Sequence, residues 1–249
     1  MLRLCCCCFL NETSGDERRP LLQPRPPEPN VAESARQTRP ACNDAQTVRR
    51  IGRLVMRRVC VPELDQRFCD MAETFNEQQQ HYESMAQHIY NLRQSCNCTH
   101  DDKLAISECV GMIRDQHKAK YRVSLKIKGY DFSLCVVPLG SECDSEEELM
   151  SSRLQSAQDE LKGTSESAKA TISKGTTLQE LIGWLLRSKD QMAEQVKGVA
   201  ATYQEQGRLN ENLEENMKEV RRAKELSLKY RQQAGEVFTE AAQIAGNYL

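Results

Sequence analysis

Residues 213–248 read LEENMKEVRRAKELSLKYRQQAGEVFTEAAQIAGNY, and this stretch sets the architecture expected of the whole chain. Apolar or small residues recur every three or four positions, at Leu213, Met217, Val220, Ala223, Tyr230, Ala234, Val237, Ala241, Ile244 and Tyr248. Such spacing draws an apolar seam along one side of a helix. Upstream the series includes Leu178, Leu181, Leu185, Met192, Val196, Val199 and Tyr203. One long helix is therefore expected from Thr176 to Leu249, with Thr176 and Gln179 capping its start. Gln206, Asn210 and Ser227 are polar interruptions of the seam. Steps of four and four at Ser188, Met192 and Val196 form a stutter, and steps of three and three at Met217, Val220 and Ala223 form a stammer. A seam this long must be covered, by other helices of the chain or by a partner.

Working back toward the N-terminus, the next signal is a second seam. Pro62 stands at a position suited to a first helical turn. Leu64, Phe68, Met71, Phe75, Gln78, Tyr82, Met85, Ile89 and Leu92 then alternate by four and three, and the helix is expected to end near Ser95. Residues 97–102 read as a loop, followed by a short helix over about Lys103–Lys118. Asp44 is placed to cap a basic amphipathic helix running to about Cys60, carrying Arg49, Arg50, Arg53, Arg57 and Arg58. After Ser145 and Glu148, a capping-box pair, a further helix is expected from about Glu146 to Lys162. The Ser-, Thr- and Lys-rich run Gly163–Gly175 is placed to weaken or break it.

Between these helices the period changes to two. Tyr121, Val123, Leu125 and Ile127 alternate with Arg122, Ser124, Lys126 and Lys128. A β-hairpin turning at Lys128-Gly129 is expected, pairing Ile127 with Tyr130, Leu125 with Phe132, Val123 with Leu134 and Tyr121 with Val136. The fold class that follows is mainly α: long coiled-coil or helical-bundle helices, one small β-hairpin and a disordered N-terminus. Three regions are expected, at 1–43, 44–143 and 144–249.

The N-terminus begins MLRLCCCCFL, four adjacent cysteines (Cys5, Cys6, Cys7 and Cys8) in an apolar frame. Neighbouring cysteines make poor disulfide partners, but thiols in an apolar terminal segment suit S-acylation. Two acyl chains are generally needed for stable anchoring, and Leu2 excludes N-myristoylation as one of the signals. Glu17 lies four residues before Leu21-Leu22, the spacing of an acidic dileucine signal read by clathrin adaptor complexes. The order of tandem cysteines, then charged residues, then leucines and prolines resembles the N-terminus of the lysosomal Ragulator scaffold over about twenty-five residues. Leu2 departs from that scaffold's myristoylated glycine. Residues 24–40, rich in Pro, Arg, Glu and Gln, read as a disordered linker.

Charge is divided along the chain. Residues 1–62 hold eleven Arg against six acidic residues, while the remainder holds 23 basic and 30 acidic ones. No reader motif accompanies the basic region, so nucleic acid is not an expected partner. Twelve cysteines without a signal-peptide pattern favour a reducing, cytosolic compartment. Cys96, Cys98 and His100, with Cys109 or His117 as fourth ligand, are spaced more tightly than structural zinc pairs, so no metal is expected. No nucleophile triad, P-loop or dinucleotide fingerprint occurs. Neither an enzyme nor a cofactor is expected.

The sequence thus points to a lipid-anchored helical adaptor or scaffold subunit on the cytosolic face of endosomal, lysosomal or Golgi membranes. Its partners would be other helical or coiled-coil proteins, or a second copy. The seam residues Leu64, Phe68, Met71, Phe75, Leu213, Met217 and Val220 are its candidate interface. The alternative is a soluble coiled-coil subunit of a cytoskeletal or centrosomal complex.

Overall fold

Three heptad seams assemble the molecule. The computed structural model describes residues 52–98, 105–139 and 151–246. These hold five helices and one two-stranded hairpin: α1 (Pro62–Cys96), α2 (Ser107–His117), β1 (Tyr121–Lys128), β2 (Asp131–Pro138), α3 (Ser152–Arg187), α4 (Lys189–Val199) and α5 (Tyr203–Gly246). The protein is mainly α. All described residues belong to a single compact unit, so the regions expected at 44–143 and 144–249 share one core.

The α1 seam is the one the sequence spells out, from Leu64 through Phe75 and Met85 to Leu92 and Cys96. All of these are buried. The α3 seam runs Leu154, Ala157, Leu161, Thr164, Ala168, Thr171, Gly175, Leu178, Ile182 and Leu185, alternating three and four without a break. On α5 it runs Leu209, Leu213, Asn216, Val220, Ala223, Ser227, Tyr230, Ala234, Val237, Ala241 and Ile244, again alternating four and three. The expected stammer at Met217 is therefore absent. Asn216 occupies the seam position, and buried Met217 flanks it. Leu209 rather than Asn210 is the buried residue at the start.

Side-chain pairs fix the helix directions. His88 meets Glu160 at 2.7 Å, Glu77 pairs with Lys174, and Arg67 stacks over Trp184 at 4.0 Å, so α1 and α3 are antiparallel. Leu154 and Leu161 share one cluster with Val237 and Ile244, while Leu178 and Leu185 share the other with Leu213 and Val220, which makes α3 and α5 antiparallel. The Tyr82 and Tyr230 rings stack at 4.3 Å, and the Tyr82 hydroxyl donates to Gln233 on the parallel pair α1 and α5. The result is an up-down-up three-helix bundle. At 44 residues, α5 is roughly 66 Å long.

The run Gly163–Gly175 does not break α3. Two of its hydroxyls are turned back onto the helix: Thr164 donates to the Glu160 carbonyl at 2.7 Å, and Thr171 to the Ser167 carbonyl at 2.8 Å. Its glycines serve close approach. A Cβ at Gly163 would lie 2.5 Å from the His88 ring, and one at Gly175 would lie 2.5 Å from the Gln78 amide nitrogen. Thr176 is no cap either, because its hydroxyl donates to the Ile172 carbonyl in the middle of α3.

The single C-terminal helix expected from Thr176 is interrupted twice. The expected stutter marks a kink at Ser188, whose N–H closes α3 on the Trp184 carbonyl. Residues 200–202 then separate α4 from α5. A capping pair restarts the helix: the Thr202 hydroxyl accepts the Glu205 N–H at 3.1 Å, and the Glu205 carboxylate accepts the Ala201 N–H at 3.1 Å. That Thr-x-x-Glu signal was legible and outweighed by the apolar spacing.

The hairpin forms, but its register differs from the expected one by two residues. Ile127 faces Phe132, Leu125 faces Leu134, Val123 faces Val136, and Lys128 faces Asp131. The turn is Gly129-Tyr130, with Gly129 at φ +65°, a Gly-first hairpin turn. A two-residue shift preserves the faces, so the expected apolar face is still the buried one. Phe132 meets Phe238 edge to face at 5.6 Å. The Phe132 N–H donates to Ser165 at 2.9 Å, and Gln158 donates to the Leu134 carbonyl at 3.0 Å, so α3 side chains occupy the β2 edge.

The core divides at a polar layer. One cluster, around Met85, Leu92, Ile106, Leu134, Leu161 and Val237, lies at the hairpin end. The other, around Leu64, Phe75, Leu178, Leu213 and Val220, lies at the α4 end. Between them Gln78, fully buried, donates to the Thr171 carbonyl at 3.2 Å and the Ser227 carbonyl at 3.4 Å.

The short helix expected over Lys103–Lys118 is α2, which begins at Ser107. Residues 99–104, the Ser145–Glu148 pair, Tyr248 and the N-terminal expectations up to Ile51 lie outside the described residues.

Candidate interaction sites

Residues 53–61 were expected to end a basic helix, yet they run as an irregular strap with no helical turn. The cause lies in three asparagines and an aspartate on the helices beneath. Asn76 of α1 pairs with both backbone groups of Leu54: its Oδ1 accepts the N–H at 2.8 Å and its Nδ2 donates to the carbonyl at 3.0 Å. Asn216 of α5 treats Arg57 the same way, both bonds at 2.8 Å. Asn212 donates to the Arg58 carbonyl at 2.8 Å, and Asp65 accepts the Val59 N–H at 2.7 Å. A side-chain amide offers a backbone the same donor–acceptor pair as a neighbouring strand. Each clip therefore mimics one rung of a ladder.

The strap bridges α1 and α5, burying Leu54 and Val59 while Arg53, Arg57 and Arg58 stay exposed. Cys60 turns the chain into α1 at φ 61°. Of the exposed arginines, Arg57 lies near Glu215 of α5. Glu215 has its carboxyl held below the ordinary range, first by Lys218 at 2.6 Å and in smaller part by Arg57.

All seven candidate interface residues lie inside the chain's own core. Leu64, Phe68, Met71, Phe75, Leu213, Met217 and Val220 belong to the one cluster at the α4 end, none more than 2% exposed. The seams expected to meet a partner meet each other. Cys5–Cys8, Glu17, Leu21 and Leu22 lie outside the described residues.

A second site is the outer face of the hairpin. Arg122, Ser124 and Lys126 point away from the bundle, opposite the buried Val123 and Leu125. They line an open groove of about 590 Å³ with Lys118, Tyr121, Val137 and Leu139, and the groove wraps the edge of β1 as far as Ala245 of α5. Nothing in the alternation alone showed that this face is concave. That depends on α2 standing beside β1.

The third is a group of thiols joining the end of α1 to α2. The Cys109 thiol donates toward Cys98 at 3.6 Å, and the Cys98 thiol lies 3.2 Å from the Met112 sulfur. The neighbouring Cys109 thiol holds the Cys96 thiol down to about 7, against the opposing effect of burial. The proximity of Cys96, with burial, pushes the Cys109 thiol up. Among the described residues no three or more ligand side chains form a metal-holding group, and His100 lies outside them.

No described helix is long and apolar enough to cross a membrane. Comparison with known protein families, with curated proteins and with solved structures finds no match to this chain.

Proposed function

We propose that the chain is a peripheral, lipid-anchored adaptor on the cytosolic face of endosomal, lysosomal or Golgi membranes. The observation that carries this reading is the segment MLRLCCCCFL, in which Cys5, Cys6, Cys7 and Cys8 sit among apolar residues. Apolar flanks partition weakly into a bilayer, and thioester-linked chains then convert that contact into a stable one. Each buried methylene contributes roughly 0.8 kcal/mol, so two chains suffice. Glu17, Leu21 and Leu22 would direct the anchored protein along clathrin-adaptor routes.

The fold gives the anchor something to hold. The chain enters the bundle through the strap, whose clips tie it to α1 and α5. With the heptad seams consumed internally, partners would be taken by surfaces other than those seams. The bundle acts as a rigid spacer presenting them at a distance from the membrane.

Metabolic labelling with an alkynyl fatty acid tests the anchor. The parent chain should carry hydroxylamine-sensitive label and sediment with membranes. Changing Cys5–Cys8 together to Ser should abolish both, and changing Leu21 and Leu22 to Ala should redirect the protein without releasing it. A parent chain without thioester-linked label sinks the anchor and leaves the soluble coiled-coil subunit as the reading.

A further inference from the structure

The hairpin is a basic island in an acidic chain. Residues 114–139 carry six Lys and Arg against two Asp. Elsewhere beyond residue 62 the chain carries 17 basic and 28 acidic residues. Three of its cations, Lys118, Arg122 and Lys126, have no ion-pair partner among the described residues. No Asp or Glu among the described residues lines the groove of about 590 Å³ that they border. Its rim also exposes apolar surface, with Val137 47% and Leu139 56% accessible. The exposed apolar rim carries a hydration cost that burial against a partner would recover, and the cations beside it select the charge of that partner.

From this geometry we infer that the outer hairpin face is the docking groove for an extended acidic segment of a partner protein. Arg122 and Lys126 lie four residues apart on β1, roughly 13 Å along the strand. Between them the floor is low, because Ser124 faces Cys135 across the ladder. An extended segment laid along β1 has the same period. Acidic side chains four residues apart reach the two cations, and an apolar side chain midway between them enters over Ser124 beside Val137. The recognised pattern is therefore acid-x-apolar-x-acid. A bilayer surface would satisfy the cations but could not enter the hollow. The inference goes beyond the adaptor reading and does not depend on acylation.

The test uses the full-length, unacylated chain and a fluorescein-labelled peptide of the repeat Glu-Ser-Leu-Ser-Glu-Ser-Leu-Ser-Glu. Fluorescence anisotropy should show saturable binding that weakens as salt is raised, because screening acts on the charge pairs. The same repeat with Lys for Glu should not bind. Arg122→Glu combined with Lys126→Glu should weaken binding by at least ~10-fold, since each reversal places like charges face to face. Both side chains are on the outward face, and an unchanged helical circular dichroism spectrum would show that the fold is intact. Val137→Ser should weaken binding without changing its salt dependence.

Absence of binding at millimolar peptide would overturn the inference. Binding indifferent to the double reversal would do so as well. Phosphatidylserine vesicles run in parallel should not compete. If they bind through Arg122 and Lys126 while the peptide does not, the face is a membrane contact instead. A variant with Glu146, Glu147 and Glu148 changed to Gln completes the set. Peptide binding seen only with that variant would make the chain's own acidic run the occupant and would overturn an external partner.

Discussion

Removing one clip should release the strap while leaving the bundle folded. The strap's hold rests on six hydrogen bonds from Asn76, Asn216, Asn212 and Asp65 and on the burial of Leu54 and Val59. At roughly 1 kcal/mol per bond the clips contribute about 6 kcal/mol. The two side chains add about 3–6 kcal/mol. Ordering nine residues costs at least ~1 kcal/mol each, so about 9 kcal/mol opposes the docking. The strap is thus closed by only a few kcal/mol. Asn216→Ala deletes two of the bonds, about 2 kcal/mol, and should raise the opening equilibrium constant roughly 30-fold. Trypsin reports this directly, because Arg53, Arg57 and Arg58 are all in the strap. When opening is fast relative to cleavage, the cleavage rate follows the open population. Cleavage at these three sites should accelerate about 5–25-fold, while sites within α1 and α5 stay protected. Asn210→Ala, which changes a half-buried residue of the same helix, serves as the control. Equal cleavage of Asn216→Ala and parent would refute the clip mechanism. Acceleration at the helical sites to the same degree would show that Asn216 supports the whole bundle instead.

The polar layer makes a second prediction. Gln78 Oε1 has no hydrogen-bond donor among the described groups, and the two bonds made by its Nε2 are long at 3.2 and 3.4 Å. Gln78→Met should therefore raise stability by about 1 kcal/mol in urea unfolding, or roughly 2–4 °C in Tm; a loss of that size would mean that the layer stabilises the bundle as well as setting its register. A third prediction concerns Cys69. Its thiol donates to Glu73 at 3.2 Å, and this bond, followed by burial and the charges of Glu73 and Asp70, pushes its pKa up. A raised pKa leaves less thiolate at pH 8, so Glu73→Ala should speed alkylation of Cys69 by iodoacetamide, followed by mass spectrometry, with no change at Cys135. An unchanged Cys69 rate would remove Glu73 as the cause.

The sequence by itself determined the mainly helical class, the α1 seam and the hairpin's buried face. Each rests on local period, and local period follows from backbone geometry alone: 3.6 residues per helical turn and two per strand repeat. It also determined the apolar tetracysteine and the dileucine spacing, which need no fold to be read. Where a polar or small residue occupied a seam position, the period misled. Period alone passes over Asn216 for Met217, and places Gly175 in a helix-weakening run, because their partners, Arg57 and Gln78, are 159 and 97 residues away. Ser188 and Thr202 looked like members of one helix because apolar spacing continues across both breaks. The hairpin shows the same division. Its faces were fixed by alternation, but alternation cannot distinguish registers two residues apart, and that choice falls to the turn at Gly129 and the packing of Phe132 on α3 and α5. Only the tertiary structure decided that the seams cover one another. A heptad pattern states that a helix needs a partner, and says nothing of whether that partner lies in the same chain, because an intramolecular and an intermolecular seam bury the same side chains.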